Sequence, residues 1–200
     1  MDKALVFIPD ISGFTKFMTG TALEHSQIII TKLLELLIGE NRLDLKVAEV
    51  EGDAVLFYKN GPPPSFADVL GQSKTMFMAF HNHLNMIMNQ NTCNCEACAN
   101  IPNLTLKFVA HYGESREVSI MNFTKIMGSA VILAHRLLKN DIPSKEYLLA
   151  TDDYMENQPE QPVKEETWTS LKPVTSTYEN FGQIKSRYIN FSPLLNASNG

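Results

Sequence analysis

Apolar and polar positions along this chain separate strands from helices. Residues 5–8, Leu-Val-Phe-Ile, form an unbroken apolar run suited to a buried central strand, and the run stops at Pro9 and Asp10. Ser12 and Gly13 then break the chain before an amphipathic helix. Over 21–38, Ile29, Ile30, Leu33, Leu36 and Leu37 recur at spacings of three and four, and Gly39 supplies the stop. Residues 43–50 alternate, 54–58 are extended, and only Glu51-Gly52-Asp53 separates them, which predicts a tight hairpin with Asp53 at or next to its tip.

A proline loop at 61–64 leads to Ser65 and Asp68, which can cap a helix whose stripe runs from Phe66 through Phe77 and Leu84 to about residue 90. Residues 104–111 read as the next strand, with 116–120 as its hairpin partner, turned at 113–115. A helix over 128–139, a strand over 147–150, a polar surface segment over 151–164 and an antiparallel pair at 171–178 and 184–191 complete the pattern. The order β-α-ββ-α-ββ-α-β with a terminal hairpin predicts an α+β, ferredoxin-like domain: an antiparallel sheet with helices on one face. It spans residues 1–192, with 91–102 as a cysteine-containing insertion and 193–200 as a flexible tail.

Composition narrows the function. A hydrophobic content of 44% in 200 residues supports a full core, and the net charge of −5 argues against a protein built to grip nucleic acid. No signal-like start and no membrane-length apolar run are visible, so the expected location is the cytoplasm, with no membrane partner. Asp10, at the end of a buried strand beside a glycine turn, either caps that turn or holds a divalent cation. Asp53, placed the same way at a hairpin end, favours the second role.

Four segments together resemble one family. Phe7-Ile-Pro-Asp10-Ile-Ser-Gly13-Phe14-Thr15 resembles the opening motif of the class III adenylate and guanylate cyclases, and Gly52-Asp53 their second metal motif. Residues 107–113, ending His111-Tyr-Gly113, resemble their His-x-Gly strand, and residues 128–136 their Gly-x-x-Val-Asn-x-Ala-x-Arg helix. The cysteine insertion is similar to that of a bacterial branch of cyclase-like proteins. The resemblance implies the class III cyclase fold, two Mg²⁺ or Mn²⁺ ions per site on Asp10, Asp53 and the Ile11 carbonyl, and Arg136 as the catalytic arginine. It implies a purine nucleoside triphosphate as substrate and a head-to-tail homodimer, with metals from one protomer and the arginine from the other. Phe14 and Thr15, within the opening motif, are by the same resemblance expected to bind the substrate.

Glu49 stands where that family carries a base reader. It keeps the parity of Leu43, Leu45 and Val47, and so either faces their side or is solvated beyond an earlier strand end. Lys125 takes the second base-reading position, where Asp, Thr or Cys is usual, so neither purine is assigned. Ile132 replaces the ribose-orienting asparagine, and Lys185 or Arg187 takes the place of the triphosphate lysine. Two functions follow: slow cyclisation of a purine triphosphate with release of pyrophosphate, or a non-catalytic cyclase-fold dimer that binds nucleotide as a regulatory module.

Cys93, Cys95 and Cys98 lie within six residues and suit either a zinc site lacking one ligand, which His83 or His81 could complete, or ordinary reduced thiols. His111 ends an apolar strand and reads as structural.

Overall fold

The computed structural model describes residues 2–19, 23–90, 96–163 and 168–197. The apolar opening run lies within β1 (Lys3–Ser12), which pairs on one side with β3 (Ala54–Asn60) and on the other with β4 (Thr105–Glu114). Edge strand β2 (Lys46–Glu51) pairs with β3, while β7 (Tyr147–Thr151), β9 (Gly182–Asn190) and β8 (Lys172–Tyr178) continue the sheet beyond β4. The seven-stranded order is β2-β3-β1-β4-β7-β9-β8.

Side chains of β1 alternate between two cores. Leu5, Phe7 and Ile11 face one layer, built from α1 (Phe14–Thr19), α2 (Leu23–Gly39) and α3 (Phe66–Gln90), with Tyr154 of α6 (Asp152–Asn157). Ala4, Val6 and Ile8 face the other, covered by α5 (Ser129–Leu137). A central strand apolar on both sides is what two covered faces require. Phe108 sits in the first layer between Phe7 and Phe191, with both ring centroids 5.8 Å away.

The α+β sheet with its closing β8–β9 hairpin is the expected one, and four details differ. The sheet is mixed, because β4 and β7 run parallel, joined by a crossover that includes α5. That crossover puts α5 on the second face, so the helices do not all share one side. Residues 116–120 do not return along β4: as β5 (Arg116–Ile120) they pair with β6 (Phe123–Met127) through a turn with Met121 at φ 55°. The C-terminal segment is not wholly frayed. α7 (Ser192–Ala197) follows Asn190, whose side chain accepts from the Ser192 amide and hydroxyl, and Leu194 is buried.

Residues 91–95, with Cys93 and Cys95, lie outside the described residues. The insertion then continues as α4 (Glu96–Asn100) and a short 3₁₀ turn, whose Ile101 is buried. Cys98 packs at the edge of the first core, His83 is half-buried on α3, and His81 Nε2 lies 3.0 Å from Glu146 Oε1.

Candidate functional site

Pro9 shapes the end of β1. Its ladder to β4 is unbroken, but pairing to β3 lapses at residues 8 and 9 and resumes at Asp10 opposite Ala54. A residue without an N–H is tolerated where the ladder lapses. The Ile11 amide then donates to the Asp53 carbonyl at 2.8 Å, stitching the hairpin tip to the end of β1. Phe14, half-buried at the start of α1, packs its ring against Gly52: a Cβ there would lie 3.3 Å from it. Thr15 is exposed, and Ile11 is buried.

Asp10 follows the parity of Val6 and Ile8 and so faces the α5 layer. Opposite it in the register stands Lys107 of β4. The Lys107 ammonium lies 3.1 Å from Asp10 Oδ2 and donates to the Leu138 carbonyl at the end of α5, at 2.9 Å. Burial, with the Asp10 charge as the second cause, pushes the Asp53 carboxyl above its ordinary pKa, while Lys107 pulls it down. Asp10, Asp53 and Lys107 therefore act on one another as a single charged cluster.

A bulge in β2 moves Glu49 off its expected face. Val47 pairs with Phe57 but Glu49 pairs with Leu56, so Glu49 changes sides relative to Val47 and joins the α5 face. There the Lys125 ammonium of β6 donates to Glu49 Oε1 at 2.7 Å, holding the carboxyl below its usual range. Glu49 and Lys125, the positions at which the resemblance implies base readers, thus meet, one donor against one acceptor.

Arg136 is not brought to the acids within one chain. It donates to the Glu179 carbonyl in the β8–β9 turn, and its guanidinium lies 5.4 Å from the Phe181 ring centroid. Ile132, one turn earlier on α5, is 54% exposed. Lys185 is exposed on β9, and two strands separate β9 from β1. The start of α5 is fixed by Gly128 at φ 151°, where a Cβ would come 2.3 Å from the Glu114 carbonyl. His135 Nε2 stands 3.6 Å from Glu51 Oε1, so adjacent residues of α5 address opposite hairpins.

The acid pair suits a hard divalent cation by the chemistry of its donors. Among the described residues no cluster of three or more His, Cys, Asp or Glu side chains gathers. Two carboxylates are therefore the protein's side-chain contribution at this corner. A cleft of about 540 Å³ lies at the other end of β1 around Lys3, Tyr112 and Arg116.

His111 is buried beneath a separate cleft of about 310 Å³ and contacts the Thr151 hydroxyl through Nδ1 at 2.9 Å. Burial lowers its pKa to about 4. With the folded pKa below the unfolded one, the unfolded chain takes the proton first as pH falls from about 6.5 to about 4. Urea unfolding should therefore lose about 2–3 kcal/mol over that window through His111. In His111→Asn the slope should flatten by that amount; an unchanged slope would show that the ring titrates normally.

Comparison with known proteins adds the lineage. Residues 30–147 match the family model described as "Protein of unknown function (DUF2652)". The "Uncharacterized protein Rv2561/Rv2562" of Mycobacterium tuberculosis is 33% identical over 163 residues, covering 82% of this chain and 74% of the relative. Among solved structures, the catalytic core of a rhodopsin-guanylyl cyclase with converted specificity, in complex with ATPαS, superposes with a TM-score of 0.65 at 16% identity. That match covers 95% of this chain and 97% of the other. The adenylyl cyclase CyaB from P. aeruginosa gives a TM-score of 0.61 at 14% identity, covering 94% and 93%. The likeness carries the fold. Among the described residues no helix is long and apolar enough to cross a membrane. The chain belongs to the DUF2652 family and has the fold of nucleotide cyclase catalytic domains.

Proposed function

We propose that this protein binds a purine nucleoside triphosphate with a divalent cation at Asp10 and Asp53, and that two copies paired head to tail convert it slowly to a 3′,5′-cyclic nucleotide and pyrophosphate. The observation that carries this reading is the acid pair itself: two carboxylates 43 positions apart in sequence, joined through the Ile11–Asp53 hydrogen bond on a cyclase-type fold. A bound Mg²⁺ or Mn²⁺ would neutralise the triphosphate and lower the pKa of the ribose 3′-hydroxyl. The 3′-oxygen attacks the α-phosphorus, the bond to the pyrophosphate oxygen breaks, and the hydroxyl proton leaves to water.

Arg136 takes the transition-state role from the second copy. Its guanidinium engages the Glu179 carbonyl and the Phe181 ring of its own chain, not the acids, which supports a composite site. Glu49 and Lys125 offer an acceptor and a donor to the base, and Lys185 is a candidate for the triphosphate. Ile132 offers the ribose no hydrogen bond, which makes turnover slow. The substrate implies the nucleotide pool of the cytoplasm. Mass spectrometry of protein incubated with ATP or GTP and Mn²⁺ should detect the cyclic product. A Mn²⁺-dependent rise in melting temperature without product would instead support the binding module, which Ile132 and the closed Glu49–Lys125 pair favour. Neither response would defeat both readings.

The β5–β6 hairpin supports the second copy. Met121 is 93% and Phe123 72% exposed, with exposed Ile120 paired to Phe123 and exposed Met127 at the other end of β6. Such apolar exposure on a soluble domain marks an interface. Glu117 roots the hairpin by accepting from Lys46 Nζ, Tyr58 Oη and Asn60 Nδ2 at 2.7–2.9 Å. Phe123→Asp should turn a dimer into a monomer in sedimentation velocity; a variant that stays dimeric would move the interface elsewhere.

A further inference from the structure

The acid corner already contains a cation that is part of the chain. The antiparallel register sets Lys107 directly across from Asp10, with both side chains on the α5 face. Its ammonium bonds Asp10 Oδ2 at 3.1 Å and the Leu138 carbonyl at 2.9 Å. The side chains are only 17% and 13% exposed, so neither is a loose surface group. The carbonyl is the second anchor: it comes from the C-terminal end of α5, where helix carbonyls lack partners and attract positive charge. Lys107 is thus held from two elements.

Charge decides how many ions such a corner accepts. Asp10 and Asp53 carry two negative charges, and Lys107 returns one positive charge to the same space. A divalent ion bridging Asp53 and the remaining Asp10 oxygen is compatible with that balance. Another, placed on Asp10 Oδ2, would have to displace the ammonium or sit against it, with like charges in a poorly hydrated setting.

We propose that the Lys107 ammonium occupies one of the two cation positions beside the acid pair, so that this site takes a single divalent ion per bound nucleotide. The inference rests on the reading of Asp10 and Asp53 as a cation site. A tethered ammonium supplies charge and hydrogen bonds to phosphate, but it does not acidify a hydroxyl as a coordinated metal does.

Equilibrium dialysis of the full chain against Mn²⁺ with 2′,3′-dideoxy-ATP or dideoxy-GTP, which lack the attacking hydroxyl, counts both ligands. Wild type should bind Mn²⁺ and nucleotide in a ratio of one to one. Lys107→Arg, which keeps the charge, should do the same, and Lys107→Met should rise to two to one. A ratio of two in wild type overturns the inference and leaves the cation site standing. An unchanged ratio in a folded Lys107→Met also overturns it. If Lys107→Met does not fold, the wild-type and Lys107→Arg ratios still decide, one supporting and two refuting. Wild type that retains neither ligand overturns the inference together with the reading beneath it.

Discussion

Asp53→Asn and Asp10→Asn should each lower divalent-dependent nucleotide turnover by about 100-fold or more, because each removes one of the two carboxylates proposed to hold the cation. Their effects on stability should have opposite signs. Asp53 is held above its ordinary pKa by burial and by the charge of Asp10. Its ionised form is therefore strained at neutral pH, and that strain is relieved as pH falls through the folded pKa. Neutral asparagine removes it, so Asp53→Asn should melt higher than wild type at pH 7. Asp10 is instead the partner of a buried ammonium. Asp10→Asn leaves Lys107 with the Leu138 carbonyl alone and should cost about 1–3 kcal/mol. Paired activity assays and thermal melts check both statements. Two variants shifting the same way in stability would mean that Lys107 does not discriminate between the acids.

The second large effect belongs to the core. Phe108 is fully buried between Phe7 and Phe191 on the strand that also presents Lys107 to the opposite face. Phe108→Ala removes a ring at the junction of β1, β4 and the C-terminal segment. A truncation of that kind costs about 3–5 kcal/mol, against a total of about 5–15 kcal/mol. For a domain of this size the melting temperature should fall by about 6–20 °C. A shift below that range would mean that the cavity collapses, with Phe77 or Trp168, which already touch Phe191, moving in.

Much of this was legible in the chain because it depends on local period. The run at 5–8, the stripe from Phe66 to Leu84 and the alternation flanking Glu51-Gly52-Asp53 each encode one element without reference to the rest. The acids were legible for the same reason, since each sits at an element end. What escaped was set by pairing between distant segments. Lys107 stands 97 positions from Asp10 in sequence, and its partnership exists only once β1 and β4 fix their register. Glu49 changed faces through a bulge that leaves no compositional mark, and β5 chose β6 through a turn at Met121 that lacks the usual glycine. Arg136 was legible as a residue but not as a direction: its guanidinium rests on Phe181, which lies beyond the next two strands, in the turn between β8 and β9.

The central claim is that acids from one chain and arginine from another complete a single site. It is tested most directly by mixing two inactive variants, Asp53→Asn and Arg136→Ala, after partial unfolding and refolding to exchange subunits. A random mixture is half heterodimer, and each heterodimer carries one intact site of two, so activity should recover to about a quarter of wild type. A mixture as inactive as its components would contradict the account.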